Sequence, residues 1–421
     1  MQHTQLEAAA VVSSVLQGRN LTQALAESLR QNSALTLQQR GALQDLCYGT
    51  LRQYGRLKFI LNQLMEKPPR EALLQNLLLV TLYQLEFTKV GQHVIVDQAV
   101  CAAKRINPGS GGLVNAVLRN FQRKRDILLS MVDQNEESKY SYPKWWIEML
   151  KVQFGEKAVD ILEAGNQHPP MTLRVNTRYA SVTGYQQMLA AHGISSRLVE
   201  PEALILERPI SVDRLPNFAE GWVSVQDAGA QFAARLLQVE TGMRVLDACT
   251  APGGKAAHLL EIADIELVAL DKDEKRLGRV RENLQRLSLK AQVICGDAAK
   301  PGEWWDGKFF ERILADVPCS ASGVVRRHPD IKWLRRNVDI AAFARQQEEI
   351  LEALWPLLKV DGKLLYVTCS IFARENQQVI EVFLERHPEA VQEKIDQFIG
   401  GQLLPNRQND GFFYALLQKN N

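Results

Sequence analysis

The chain has 421 residues, enough at roughly 100–200 residues per domain for two to four domains and a sizeable core. Apolar residues make up 46% and charged residues 23%, ordinary values for a globular protein that argue against a disordered, collagenous or membrane-spanning chain. Lys and Arg together exceed Asp and Glu by only two, so no global basic field announces a nucleic acid and any such signal must be local.

In chain order, residues 1–18 hold only a short apolar stretch, with Glu7 ahead of it and no basic leader, so they fit neither a signal peptide nor a membrane span. From Thr4 to about Leu129 apolar residues recur at helical spacing, as in Leu43, Leu46, Cys47 and Leu51, or Leu74, Leu78 and Leu82. Pro68, Pro69 and the stretch 107–112 divide this all-α region into five or six expected helices, and the apolar block 72–87 suits a buried one. The polar, acidic residues 132–141 predict a linker. A small α+β subdomain follows, with a strand over 172–176, a helix over 182–191 and a strand over 196–206. From Met243 apolar strands alternate with helices, which predicts a mostly parallel sheet covered on both faces. Its strands are expected at 244–248, 266–270, 292–295, 312–315 and 363–368, with 411–417 adding an edge strand.

The six cysteines are scattered, with no CxxC pair and no His at a zinc-ligand spacing. No metal site is expected, and the pattern suits the reduced thiols of a cytoplasmic protein. Cys47, Cys101 and Cys295 read as small buried apolar residues, and Cys249 as a structural part of its loop.

The first strand of the sheet runs into Asp247-Ala-Cys-Thr-Ala-Pro-Gly-Gly-Lys255, a glycine turn that lets backbone approach a ligand before a helix begins. The next three strands end near Asp271, Asp297 and Asp316. Four carboxylates at one sheet edge repel one another unless a ligand offsets them. The turn lacks G-x-G-x-x-G spacing, so a pyrophosphate ligand fits less well than S-adenosylmethionine, which offers ribose and adenine but no phosphate. Two thiols follow strand ends in the same sheet, in Pro318-Cys319-Ser320 and Thr368-Cys369-Ser370. A thiolate that adds to C6 of cytosine turns the inert C5 into a carbon nucleophile, which is the chemistry a methyl donor beside a thiol calls for. Asp316 is placed to hydrogen-bond the cytosine amine or a protonated ring nitrogen. Spacing leaves open which thiol attacks.

These strings, with residues 225–255, Arg326-Arg327-His-Pro-Asp-Ile-Lys-Trp333 and Asp410-Gly-Phe-Phe-Tyr414, resemble the Sun/Fmu-type RNA cytosine-C5 methyltransferases over nearly the whole chain. The likeness is to the bacterial members that act on 16S ribosomal RNA. It implies an all-α NusB-like RNA-binding domain over 1–130, a linker over 131–145, a helical and small α+β RNA-binding subdomain over 146–235, and a Rossmann-like class I methyltransferase domain over 236–421. It further implies that Cys369 is the nucleophile and Cys319 assists product release. Cys249, Thr250, Ala251, Pro252, Gly253, Gly254 and Lys255, with Asp271, Asp297 and Asp316, would then bind S-adenosylmethionine. Thr250 and Val317 depart from the family, which usually has Ala at both positions.

Local basic runs mark the expected RNA contacts: Lys104, Arg105, Arg119, Arg123, Lys124 and Arg125, then Arg326, Arg327, Lys332, Arg335 and Arg336, with Arg174 helping to hold the strand. Trp333, His328 and Trp222 offer stacking surfaces. The target cytosine must be unpaired or flipped out, since a stacked base cannot reach a thiolate. A noncatalytic RNA-binding assembly factor is the competing reading, which the paired thiols and strand-end acids oppose; a nicotinamide oxidoreductase is disfavoured by the turn sequence.

Overall fold

The structure is a computed structural model that describes residues 2–200 and 202–421; Met1 and Pro201, on which parts of the leader and 196–206 strand expectations fall, lie outside the described residues. The chain forms two compact units, Met1–Gln167 with Val325–Arg336, and His168–Val324 with Asn337–Asn421.

The first unit begins with α1 (Gln2–Leu16), α2 (Leu21–Gln31), α3 (Leu37–Arg52), α4 (Tyr54–Leu64), α5 (Ala72–Phe87), α6 (Gln92–Ile106) and α7 (Gly111–Asp133). Side-chain caps set some starts: Asn20 accepts the Gln23 N–H, and Thr36 and Gln39 form a reciprocal capping box. The seven described helices exceed the five or six expected because α3 gives way to α4 at Gln53 alone, a junction that no Pro or Gly announces. Helix α5 matches its expected bounds, and its buried residues, from Leu74 to Leu85, surround nearly its whole circumference. Next come α8 (Glu136–Tyr140), α9 (Lys144–Phe154) and α10 (Lys157–Asn166). Ser138, Tyr140, Ser141 and Tyr142 are buried here, so the segment expected as a linker is folded structure, its acidic Asp133 ending α7 and Glu136 and Glu137 forming the exposed first turn of α8.

The second unit opens with β1 (Met171–Val175), α11 (Val182–Ala191), β2 (Ser196–Val199), β3 (Ala203–Leu206) and β4 (Val223–Val225). They form an antiparallel sheet of order β2-β3-β1-β4. The single strand expected over 196–206 is a hairpin, with Val199 opposite Ala203, and β4 is too short to carry a readable alternation.

The large sheet contains β5 (Arg244–Ala248), β6 (Glu266–Asp271), β7 (Gln292–Cys295) and β8 (Phe310–Asp316), preceded by α12 (Ala228–Leu236) and interleaved with α13 (Gly254–Ile262) and α14 (Glu274–Arg286). After β8 the chain contributes α15 (Ile331–Leu334) to the first unit. It returns through α16 (Asn337–Leu354), β9 (Leu358–Thr368), α17 (Gln377–Arg386), β10 (Ala390–Glu393), β11 (Gln402–Leu403) and β12 (Phe412–Lys419). Strand order is β10-β12-β9-β8-β5-β6-β7, parallel from β9 to β7, with β11 pairing β12. β5 is buried throughout, as befits a parallel strand covered on both faces. The expected edge strand is instead interior: β12 runs antiparallel between β9 and β10, and Phe412 to Leu417 are all buried. Strand order reverses between β5 and β8, the place where an open α/β sheet leaves a crevice beyond its carboxyl ends.

Candidate active site

Parallel register brings the two thiols together. Asp316 on β8 pairs with Val367 on β9, so Cys319 lies three residues beyond one partner and Cys369 two beyond the other. Their sulfurs are 3.3 Å apart, and both cysteines are free. Backbone bonds tie the loops: Val317 N–H donates to the Val367 carbonyl and Gly323 N–H to the Cys369 carbonyl, at 3.1 and 2.8 Å. Gly411, in the Asp-Gly-Phe-Phe-Tyr string, donates to the Gly323 carbonyl, and a Cβ on Gly323 would lie 2.2 Å from the Gly411 oxygen. Only glycine permits that approach. The hydrogen bond with Cys369, burial, and the nearby Cys369 and Glu375 charges raise the Cys319 thiol well above its ordinary value.

Cys249 to Lys255 form the turn between β5 and α13. Gly253 caps that helix at φ +92°, with Val280 atoms 3.1 to 3.4 Å from where its Cβ would sit, so both backbone and space demand glycine. Thr250 donates its hydroxyl to Asp247 at 2.7 Å, and Ala251 N–H donates to Asp271 at 3.1 Å. A crevice beside this turn is lined by Cys249, Asp271, Asp297, Pro318 and Ile350, which brings residues from the ends of β5, β6, β7 and β8 to one place. Asp297 is braced by the Ala299 N–H on its carboxylate and the Trp304 indole N–H on its carbonyl. Burial pushes the Cys249 thiol up, in keeping with a structural role.

Lys255 Nζ donates to Asp316 Oδ2 at 2.6 Å. Burial alone would lower the ammonium's pKa, but the Asp316 charge and hydrogen bond, joined by Cys369 and Asp247, outweigh it and the net shift is upward. Asp247 is fully buried, and its Oδ1 has no hydrogen-bond partner. Burial pushes its carboxyl up to about 7; the Thr250 hydrogen bond pulls it down and the Asp316 charge pushes it up. An acceptor-rich edge with one orphaned buried oxygen, one lysine already neutralised and no phosphate cradle fits a hydroxyl-bearing, cationic cofactor such as S-adenosylmethionine.

Several expected RNA contacts are committed to the fold. Arg174 is 2% exposed: its guanidinium holds both Glu261 oxygens at 2.9 and 2.7 Å and reaches Gln226 and the Gly254 carbonyl at 2.6 and 2.7 Å. Lys332 is buried with Nζ donating to the carbonyls of Arg52 and Ser141 and to Asn166 Oδ1, at 2.7 to 2.8 Å. Burial lowers its pKa well below the ordinary lysine value. Arg326 is buried too, its carbonyl accepting from Arg52 at 3.0 Å, and Trp333 donates to the Leu51 carbonyl and packs edge-on against Tyr54. Arg125 is paired with Glu86 at 2.9 and 3.1 Å, and Arg327 is half-buried. Lys104, Arg105, Arg119, Arg123 and Lys124 are exposed. Trp222 stacks parallel on Tyr179 with ring centres 5.9 Å apart. Cys47 is buried as expected of a small apolar residue, but Cys101 is only half-buried and Cys295 is exposed where β7 ends at the rim of the sheet. Sequence reasoning missed Glu375 and Gln347, which brace the thiol loops without any motif of their own.

The chain matches the family model described as 16S rRNA methyltransferase RsmB/F over residues 234–418, the ferredoxin-like domain of the RsmF/B-like methyltransferases over 142–213, and the NusB family over 2–123. It is 47% identical to the ribosomal RNA small subunit methyltransferase B of Vibrio cholerae across 96% of this chain and 94% of that protein. The Pseudomonas putida protein of the same name is 45% identical across 98% of each. Among solved structures, PH0851 superposes with a TM-score of 0.80 at 26% identity, covering 99% of both chains. A methyltransferase homolog protein from Pyrococcus horikoshii gives 0.60 at 29% identity, over 69% of this chain and 99% of its own. Three consecutive family models and relatives of this identity over nearly their full length place the chain in the RsmB/F family of methyltransferases.

Proposed function

We propose that this protein transfers a methyl group from S-adenosylmethionine to C5 of a cytosine in 16S ribosomal RNA, with Cys369 as the nucleophile and Cys319 assisting release. Family membership supports the methyl transfer and the RNA class. The observation that carries the covalent route is the pair of sulfurs 3.3 Å apart at the ends of adjacent parallel strands. The likeness to the Sun/Fmu-type enzymes assigns the attack to Cys369 and leaves Cys319 beside it to assist release. The Cys369 sulfur forms a bond to C6 of an unpaired or flipped-out cytosine, and the C5–C6 π electrons move onto C5. When bound, S-adenosylmethionine would supply the electrophilic methyl group that C5 takes, the methyl–sulfur bond breaking with its electron pair left on sulfur and the neutral thioether departing. Loss of the C5 proton then returns an electron pair to the ring, the C6–sulfur bond breaks and the thiolate is regenerated, with Cys319 assisting its departure. Asp316, held by Lys255 yet 28% exposed, accepts a hydrogen bond from the cytosine amine or from a protonated ring nitrogen, and that proton neutralises the negative charge which addition pushes into the ring.

The turn 249–255 with Asp271, Asp297 and Asp316 holds the cofactor in this reading. Exposed Lys104, Arg105, Arg123 and Lys124 meet RNA phosphates. Labelled S-adenosylmethionine with deproteinised 16S RNA tests the assignment. Cys369→Ala should abolish transfer to cytosine C5, and Cys319→Ala should accumulate a denaturation-resistant protein–RNA adduct. The reverse pattern would reject the roles given to the two thiols.

A further inference from the structure

Glu375 lies on the single helical turn after β9 and is fully buried. Its Oε1 accepts the Ser320 backbone N–H at 2.6 Å, and its Oε2 accepts the Ser370 hydroxyl at 2.6 Å. Ser320 is the residue after Cys319 and Ser370 the residue after Cys369, so one carboxylate grips both thiol loops at the same point of each. Cross-bracing completes the arrangement. The Ser370 hydroxyl lies 3.2 Å from that of Ser320 and 3.0 Å from that of Ser322. From α16, Gln347 Nε2 reaches Glu375 Oε1 at 3.3 Å and the Pro318 carbonyl at 2.9 Å. The Tyr366 hydroxyl holds the Glu375 carbonyl at 2.6 Å.

Burying a carboxylate away from any cation is costly, and a fold keeps one where its acceptors are needed. Here both oxygens are aimed at the residues flanking the sulfurs. We infer that Glu375 is a positioning residue: its carboxylate brackets the Cys319 and Cys369 loops and fixes the separation of the two sulfurs. Burial pushes the Glu375 carboxyl upward while the Ser320 and Ser370 bonds pull it back, as expected of a group retained for its hydrogen bonds. The inference rests on the reading in which both thiols act on one cytosine.

Two measurements separate the bracket from that reading. Without RNA or cofactor, diamide oxidation of the native protein joins the two sulfurs, each thiol losing a proton and the azo group taking up the two protons and two electrons. The linked 319–369 peptide pair is followed by mass spectrometry. Glu375→Ala should close this bond about tenfold more slowly than wild type, and Glu375→Gln, which keeps an acceptor for Ser320, should recover most of the rate. In methyl transfer, Glu375→Ala should lose about 10²-fold in kcat, the scale of a 1 Å misplacement of reacting groups, with KM for S-adenosylmethionine unmoved. If Glu375→Ala does not fold, Ser370→Ala removes one arm of the bracket and is read in the same way. Closure as fast as wild type in the Ala variant, or a Gln variant no better than Ala, overturns the inference. Absence of transfer to C5 by the wild type would sink the parent reading while the thiol-closure rates still decide the bracket.

Discussion

Asp247 concentrates the electrostatics of the cofactor edge in one side chain. Burial, with Asp316 and Asp271 adding their charges against the pull of Thr250 and Lys255, raises its carboxyl to about 7. A carboxyl near about 4 in the unfolded chain that rises to about 7 on folding binds its proton more tightly in the fold. Its contribution to stability is therefore full below about pH 4 and is lost as pH rises through about 7. Asp247→Asn, which still accepts the Thr250 hydroxyl, should match wild type near pH 4 and exceed it at pH 8 by about 2–4 kcal/mol in urea unfolding. Parallel pH profiles for the two proteins would contradict this account. The strand-end acids and both thiols were legible from their places in the sequence, because each ends an apolar run. Glu375 was not, since six residues after Cys369 it matches no motif and its partners come from three separate segments.

Among the elements, β5, β7 and α11 fall within their expected bounds, because their apolar patterns reflect burial against immediate neighbours. β12 was misplaced for a physical reason: its apolar run fits an edge or an interior strand equally well, and β10, which covers it, offers only four residues. Arg174 on β1 illustrates the same limit, since an isolated Arg reads as an RNA contact until Glu261 on α13 is brought beside it. Its removal would strand a buried carboxylate. Arg174→Ala should cost about 3–5 kcal/mol in unfolding of the second unit. RNA binding measured well below the melting transition should keep its salt slope. A stable Arg174→Ala protein with a shallower slope would restore the expected RNA contact.

Across the whole molecule, the basic runs divide by position. Gly111 at the start of α7 meets the Lys104 side chain, whereas Gln122 bonds Gln92 at the other end of α6. Lys104 with Arg105 and Arg123 with Lys124 therefore lie about 18 Å apart along that helix, from about twelve residues at roughly 1.5 Å each. If both meet phosphate, the double variants Lys104→Glu/Arg105→Glu and Arg123→Glu/Lys124→Glu should each make the slope of log affinity against log salt shallower, by about one for every phosphate left unneutralised. The two reductions should add in the quadruple variant. An unchanged slope in either pair would remove that pair from the RNA surface. Arg326 and Lys332 stand apart, as the segment after the Cys319 loop folds into the helical unit, where both are buried and the Lys332 ammonium is held by the Arg52 and Ser141 carbonyls. By itself the sequence determined the helical and sheet-bearing regions, the glycine turn, the acids at the strand ends and the two thiols, because periodicity and motif are local properties of a chain. Only the tertiary structure decided that the sulfurs meet, that β12 is interior and that Arg174 and Lys332 are internal, since register, strand order and the return of residues 325–336 depend on segments far apart in sequence coming together.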